Sequence, residues 1–400
     1  MSRKSLVPII LALAFAVPGI VLRFSGLSPA PAVSAIFFGA VVVASAFLLA
    51  WAAETAQVDI SASLATAILA LIAVLPEYAV DLYFSYTSGH RPEFAAFAAA
   101  NMTGSNRLLI GIGWPLVALV FTFASRHRAH APGIELQPAR RIELAFLAIA
   151  GLYAFTIPMR GRISLIDAAV LLALFIAYVL RTLKEERVEP ELTGVAASLA
   201  AFPARQRRII VGTLFVTAAV FVVTAAEPFA NSLVNTGKQF NLDQFLLVQW
   251  LAPLASEAPE LIVAVLLALK GRGELAIGTL LSSKVNQWTL LVGSLPIAHL
   301  IGGGGTALPL DARQTEEFLL TAAQTMLGFA VLSNLRFSAK EAVALLTIFL
   351  LQFFFPGREV RLMFAAAYGA LAIALLLYHR RSLPPILRSL WPGRSSEAES

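Results

Sequence analysis

Long apolar runs, interrupted at intervals by short polar segments, set the plan of this chain. Twelve of them are predicted to span a membrane, near residues 6–24, 32–53, 61–86, 93–123, 142–157, 163–180, 209–227, 243–268, 274–299, 317–333, 339–356 and 360–378. A bilayer core takes about 20 apolar residues as helix, so most runs can cross once and the longest can tilt or break. Within lipid every backbone polar group needs an internal partner, and a helix supplies one for each. The expected fold class is an all-α polytopic membrane protein.

A charged segment with Pro190 and Pro203 divides the pattern near its middle. Five spans run from residue 32 to it, five follow it as far as 356, and one further helix lies at each end. The predicted organisation is an N-terminal accessory helix (1–31), a first repeat (32–181), a cytoplasmic linker (182–208), a second repeat (209–356), and a C-terminal accessory helix with a basic tail (357–400). An odd number of spans per repeat turns the second copy upside down and brings groups from both copies to one depth.

The polar punctuation repeats as well. Ala52-Ala53-Glu54 and Ala225-Ala226-Glu227 close matching spans, and Pro76-Glu77 and Pro259-Glu260 interrupt the next ones. Gly89-His90-Arg91-Pro92-Glu93 and Lys270-Gly271-Arg272-Gly273-Glu274 follow as links. Then come Asn101-Met102-Thr103-Gly104-Ser105-Asn106 and Gly278-Thr279-Leu280-Leu281-Ser282-Ser283-Lys284. A proline that frees backbone carbonyls, beside a carboxylate, is costly in lipid unless both face a polar cavity. Two copies, one per half, point to a transporter with an ion site near the midplane.

Composition agrees: the chain is 58% hydrophobic and 14% charged, with mean hydropathy +0.78. Its net charge of +6 does not signal nucleic acid, because the basic residues sort by side. With the N-terminus inside, twenty of the 30 Lys and Arg fall on cytoplasmic segments, eight on the opposite loops, and Arg107 and Lys284 within spans. That asymmetry is the positive-inside rule, and it predicts both termini in the cytoplasm of a cell (inner) membrane protein. Residues 1–35 imitate a signal peptide, but the apolar run is long for one and ends at Arg23, so a retained helix is favoured. The absence of cysteine excludes disulfides and thiolate metal sites. No phosphate-binding glycine loop occurs, the histidines sit in loops and at span ends, and Gly302–Gly305 reads as a flexible outer loop. The loops hold no cluster of Asp, His or Arg suited to an enzyme acting on lipids. The expected partners are inorganic cations and the bilayer, with no cofactor beyond the transported ion.

At the doubled signature the chain resembles the sodium/calcium exchanger family of the calcium:cation antiporter superfamily. The family's repeats read approximately Gly-Thr-Ser-x-Pro-Glu, then Gly-Asn-x-x-Gly-Ser-Asn-x-x-Asn. Leu75-Pro76-Glu77 and Ala258-Pro259-Glu260 match the first part, and Asn101 to Asn106 much of the second. The resemblance implies an inverted-repeat 5+5 helix core and alternating access around a midplane site. It assigns Glu77 and Glu260 as the cation-binding (metal) carboxylates, with Asn106, Ser105, Ser256 and Ser283 as neutral oxygen ligands. Ca2+ and Na+ are hard cations that favour such all-oxygen sets.

The departures from that pattern are specific. Ile72-Ala73-Val74 replaces the first Gly-Thr-Ser and removes hydroxyls, whereas Ala255-Ser256-Glu257 keeps one and adds a carboxylate. The late Asn becomes Leu109 in one repeat and Gln287 in the other. Lys284 stands where the family places an Asn or Asp, and an ammonium donates hydrogen bonds without ligating a cation. Lys284 has three readings: it pairs with Glu260 or Glu77 and yields when a cation binds, a proton-coupled switch; it permanently fills one ion position; or it points away from the site. Asp81, Glu257 and Asn101 are candidate modulating or proton-coupling groups. Asp81 lies one turn beyond Glu77 and has two readings, a partner for Arg107 or an added ligand. The functional expectation is a secondary cation antiporter, exchanging calcium for Na+ or H+. The alternatives are a Na+/H+ exchanger without calcium activity and a non-transporting membrane receptor or scaffold.

Overall fold

The computed structural model describes residues 3–59, 75–125, 133–183, 192, 194–355 and 357–391. The start of the third span with Ile72-Ala73-Val74, the loop carrying Arg126, His127, Arg128 and His130, and most of the linker with Pro190 lie outside the described residues.

Among the described residues the apolar runs are helices, and their ends follow from local chemistry. Reciprocal caps open Leu165–Thr182, Ala312–Leu332 and Ala339–Leu351, through the pairs Ser164 and Asp167, Asp311 and Gln314, and Ser338 and Glu341. In each pair the first side chain accepts the N–H three residues on and the second reaches back, satisfying two orphan donors. The run expected to end at Glu227 continues much further. The helix Ala204–Phe240 has 37 residues, about 55 Å at the α-helical rise and well beyond a bilayer core. Glu227 lies within it, and its half-exposed carboxylate accepts from Arg23 at 3.2 Å. The helix stops instead at Asn241, whose φ of 51° is left-handed. The linker is also more than a tether: Gly194–Ala200 is helical and buries Val195, Ala196 and Leu199.

The chain divides into two compact units, each drawn from both halves of the sequence: residues 1–84 with 186–259, and 85–185 with 260–400. In the first unit, Pro31–Ala56 packs along Ala204–Phe240 and buries Val41, Leu48, Leu49 and Ala52. The N-terminal helix Arg3–Ser25 lies against both. Asp59, just past Ala56, takes Arg207 Nε and Nη2 at 2.6 and 2.7 Å.

In the second unit, Ala312–Leu332 is the central helix and is buried along nearly its whole length. Trp114, Trp288 and Phe349, with its own Phe318, fill the core there. Two short antiparallel ladders, not predicted from the sequence, tie its loops together. Ile134–Glu135 pairs with Arg336–Phe337, and Arg162–Ser164 with Ala307–Pro309. By the predicted spans, an even number separates the partners in each ladder, which puts each ladder's loops on one side and the two ladders on opposite sides. Each contains one loop from each repeat. Such a pair of ladders is what inversion of the repeat produces.

Among the glycines at 302–305, the first three form a hydrogen-bonded turn, and Gly302 and Gly304 are closely packed. Gly302, Gly303 and Gly304 donate backbone N–H groups to Ala298, Leu300 and His299. A Cβ on Gly302 would lie 1.8 Å from the Tyr86 carbonyl oxygen. Small size, not mobility, is what this position requires.

Candidate cation site

Each Asn101–Asn106-type helix runs straight into a π-helical stretch. Phe94–Leu108 is followed by Leu109–Gly113, and Gly273–Asn286 by Gln287–Leu291. The two stretches begin 178 residues apart, the separation of Asn106 and Lys284. Wide turns of this type cluster at functional sites, because they redirect the side chains before them. Here they follow the same polar position in both repeats.

Those two equivalent positions meet. The Lys284 ammonium, fully buried, donates to Asn106 Oδ1 at 2.7 Å and to the Asn106 main-chain oxygen at 2.5 Å. Asn106 Nδ2 in turn donates to the Met102 carbonyl at 3.0 Å, which leaves Oδ1 turned to the lysine. The Trp288 ring, one turn beyond Lys284, lies 5.7 Å from the ammonium, near enough for its negative face to attract the charge. Trp288 Nε1 donates to Thr325 at 2.8 Å, fixing the ring. Sequence reasoning offered a glutamate as this lysine's partner and did not anticipate these two oxygens of its repeat mate. The residue four positions on was the available signal for Trp288.

One residue earlier, Ser283 donates to Glu260 Oε2 at 2.6 Å, joining two of the predicted ligands. Asn101 and Ser105 are buried on one face of Phe94–Leu108. The Asn101 amide and the Ser105 hydroxyl have no hydrogen-bond partner among the described residues. Buried polar atoms left in that state are costly, so these oxygens suit a cation. Arg107 is held elsewhere in the same unit. Its guanidinium bonds Glu317, with both side chains under 5% exposed, and the amide oxygen of Gln352. Glu317 and Gln352 were not among the predicted site residues, because nothing in their spacing marks them.

The remaining predicted residues belong to the first unit. Glu77 and Asp81 are buried one turn apart on Leu75–Ser88. Ser256 and Glu257 are buried on Gln244–Leu269, the helix that carries Glu260 one turn on. Ser256 Oγ turns back to the Ala252 and Pro253 carbonyls at 3.2 and 3.4 Å, which leaves its lone pairs unengaged by that donation. The unit boundary falls after Phe84 and after Pro259, within the two Pro-Glu helices.

The profile of the sodium/calcium exchanger protein family matches residues 30–184 and 210–357 of this chain. The chain is similar to the H+/Ca2+ exchanger CAX in crystal structure, with TM-score 0.92, 42% identity, and 97% and 98% of the two chains covered. It shares the fold of YfkE, at 16% identity and TM-score 0.61 over 93% of this chain and 99% of that one. It also shares the fold of the sodium-calcium exchanger NCX_Mj, at 17% identity and TM-score 0.51 over 86% and 98%. CaxA of Alkalimonas amylolytica, a candidate antiporter, is 24% identical over 144 residues, 36% of this chain and 43% of that protein.

Proposed function

We propose that this chain, which belongs to the sodium/calcium exchanger protein family, exchanges calcium for protons across the membrane, with Glu77 and Glu260 as the carboxylates that carry the ion. The observation that carries this reading is the buried Lys284 ammonium on the Asn106 oxygens, next in sequence to the Ser283–Glu260 bond. An ammonium is a proton held as a cation, and calcium needs the oxygens it occupies. The two cannot use Asn106 together. Calcium entering the site displaces the ammonium or takes its place after the proton has left. Release of calcium lets the proton return. That competition makes exchange obligatory.

Glu77 and Glu260 balance the calcium charge, and Asn106, Ser105, Ser256 and Ser283 complete an oxygen shell. Asp81, Glu257 and Asn101 adjust proton and ion occupancy beside it. Transport proceeds by alternating access of the inverted repeats, with both termini in the cytoplasm. The similarity to a protein named as an H+/Ca2+ exchanger supports protons as the counter-ion.

The test is uptake of radioactive calcium into vesicles containing the purified protein, under a pH gradient and, separately, a sodium gradient. Uptake is expected with the pH gradient alone. Glu77→Gln and Glu260→Gln are each expected to abolish it while the protein remains folded and monodisperse. Retained transport in Glu260→Gln overturns the assignment. Uptake driven only by sodium replaces the proton, and sodium–proton exchange without calcium uptake replaces the calcium.

A further inference from the structure

The C-terminal helix Arg358–Tyr378 lies beyond the two repeats in sequence, yet it reaches the polar interior of the second unit. Tyr368 is 1% exposed, and its hydroxyl accepts from Gln352 Nε2. That amide nitrogen also reaches the Ile348 carbonyl, at 3.4 Å. Gln352 Oε1 accepts from Arg107 Nη2, while Arg107 Nη1 bonds Glu317. The Arg107 carbonyl accepts from Gln324 Nε2 at 3.3 Å. Arg107 directly follows Asn106, whose oxygens hold Lys284. Towards its start the same helix supplies Arg361, 2.9 Å from Glu316 and 3.8 Å from Glu317, and Arg358, 2.7 Å from Glu316.

The chain of bonds is directional. An amide has a donor end and an acceptor end, so fixing one end fixes the other. With its nitrogen on Tyr368, Gln352 offers its oxygen to Arg107. Rotated by half a turn, it would present N–H groups to a guanidinium that can only donate. These two acceptors hold the planar fork of Arg107 in one orientation. This matters at residues 106–107 because the π-helical stretch starts two residues later and loosens the local backbone ladder.

We propose that the C-terminal helix is a functional part of the carrier: through Tyr368 and Gln352 it orients Arg107, and so positions the Asn106 oxygens for the cation. Tyr368 is a positioning residue that touches neither ion. This rests on the calcium-binding role given above to Asn106.

The test uses full-length protein in vesicles and compares Tyr368→Phe with Tyr378→Phe, whose ring is 82% exposed on the same helix. One lost buried hydrogen bond predicts a KM for calcium raised about three- to tenfold in Tyr368→Phe, with the maximal rate within about twofold. Tyr378→Phe is expected to match the unmodified protein. An unchanged KM in Tyr368→Phe overturns the proposal. So does a fall in maximal rate and thermal midpoint at constant KM, because that is the result of a purely structural contact. Failure of the unmodified protein to transport calcium counts against the calcium assignment instead, and the two failures are separable.

Discussion

Replacing Lys284 with asparagine removes the resident cation and restores a neutral oxygen at the position. The ammonium makes two charge-assisted hydrogen bonds to Asn106 and faces the Trp288 ring. Hydrogen bonds to charged groups contribute about 1.5–3 kcal/mol each, so giving up these two costs about 3–6 kcal/mol. A displaced lysine stays tethered and finds other acceptors; recovering half leaves about 1.5–3 kcal/mol, or roughly ten- to hundredfold in affinity. Lys284→Asn is therefore expected to bind calcium roughly ten- to hundredfold more tightly than the unmodified protein. It is also expected to lose dependence of calcium uptake on an imposed pH gradient. Equilibrium binding of radioactive calcium to detergent-purified protein gives the first quantity, and vesicle uptake with and without the gradient gives the second. Equal or weaker calcium binding in Lys284→Asn would refute competition for the Asn106 oxygens. Tighter binding with intact pH-driven uptake would locate the transported proton on the carboxylates alone.

Two further results are expected. Glu317→Gln leaves the buried Arg107 charge poorly compensated and should lower stability by about 3–5 kcal/mol, whereas Arg107→Met with Glu317→Met should recover most of it; thermal unfolding in detergent compares them. The Arg207 guanidinium, bonded to Asp59, holds that carboxyl below the usual range. A lowered folded pKa contributes stability that is present at neutral pH and fades below about pH 4, as the carboxylate protonates. The unfolding midpoint of Asp59→Asn should lie below that of the unmodified protein at neutral pH and converge with it in acid.

Much of this was legible in the order of residues. Apolar runs of membrane length can only be helices in lipid, and a charged proline break is too costly there to occur twice without a use. Hence the spans, the doubled signature and the family could be read. What could not be read depends on how one helix is set against another. The Asn106 oxygens were not foreseen as acceptors for Lys284, because charge complementarity is visible in a sequence and helix register is not. Its described acceptors are amide and carbonyl oxygens, which every segment possesses. Glu317 looked like the start of a span, yet it is the buried counter-charge of Arg107. Glu227 looked like the end of one, because an apolar count stops at a charge even when Arg23 meets it. The close packing at Gly302 was missed for a related reason. Glycine permits both mobility and close approach, and only the neighbouring Tyr86 carbonyl decides between them.

The contact between residues 106 and 284 has a consequence for how the two halves differ. Positions related by the repeat that touch each other present each residue to its own counterpart. Two asparagines there would be self-complementary, each able to donate and accept, and the halves would be interchangeable at that point. Two lysines would repel. One of each gives a bond with a donor side and an acceptor side, so the carrier has a head and a tail at its most symmetric position. Its two directions of transport need not be mirror images.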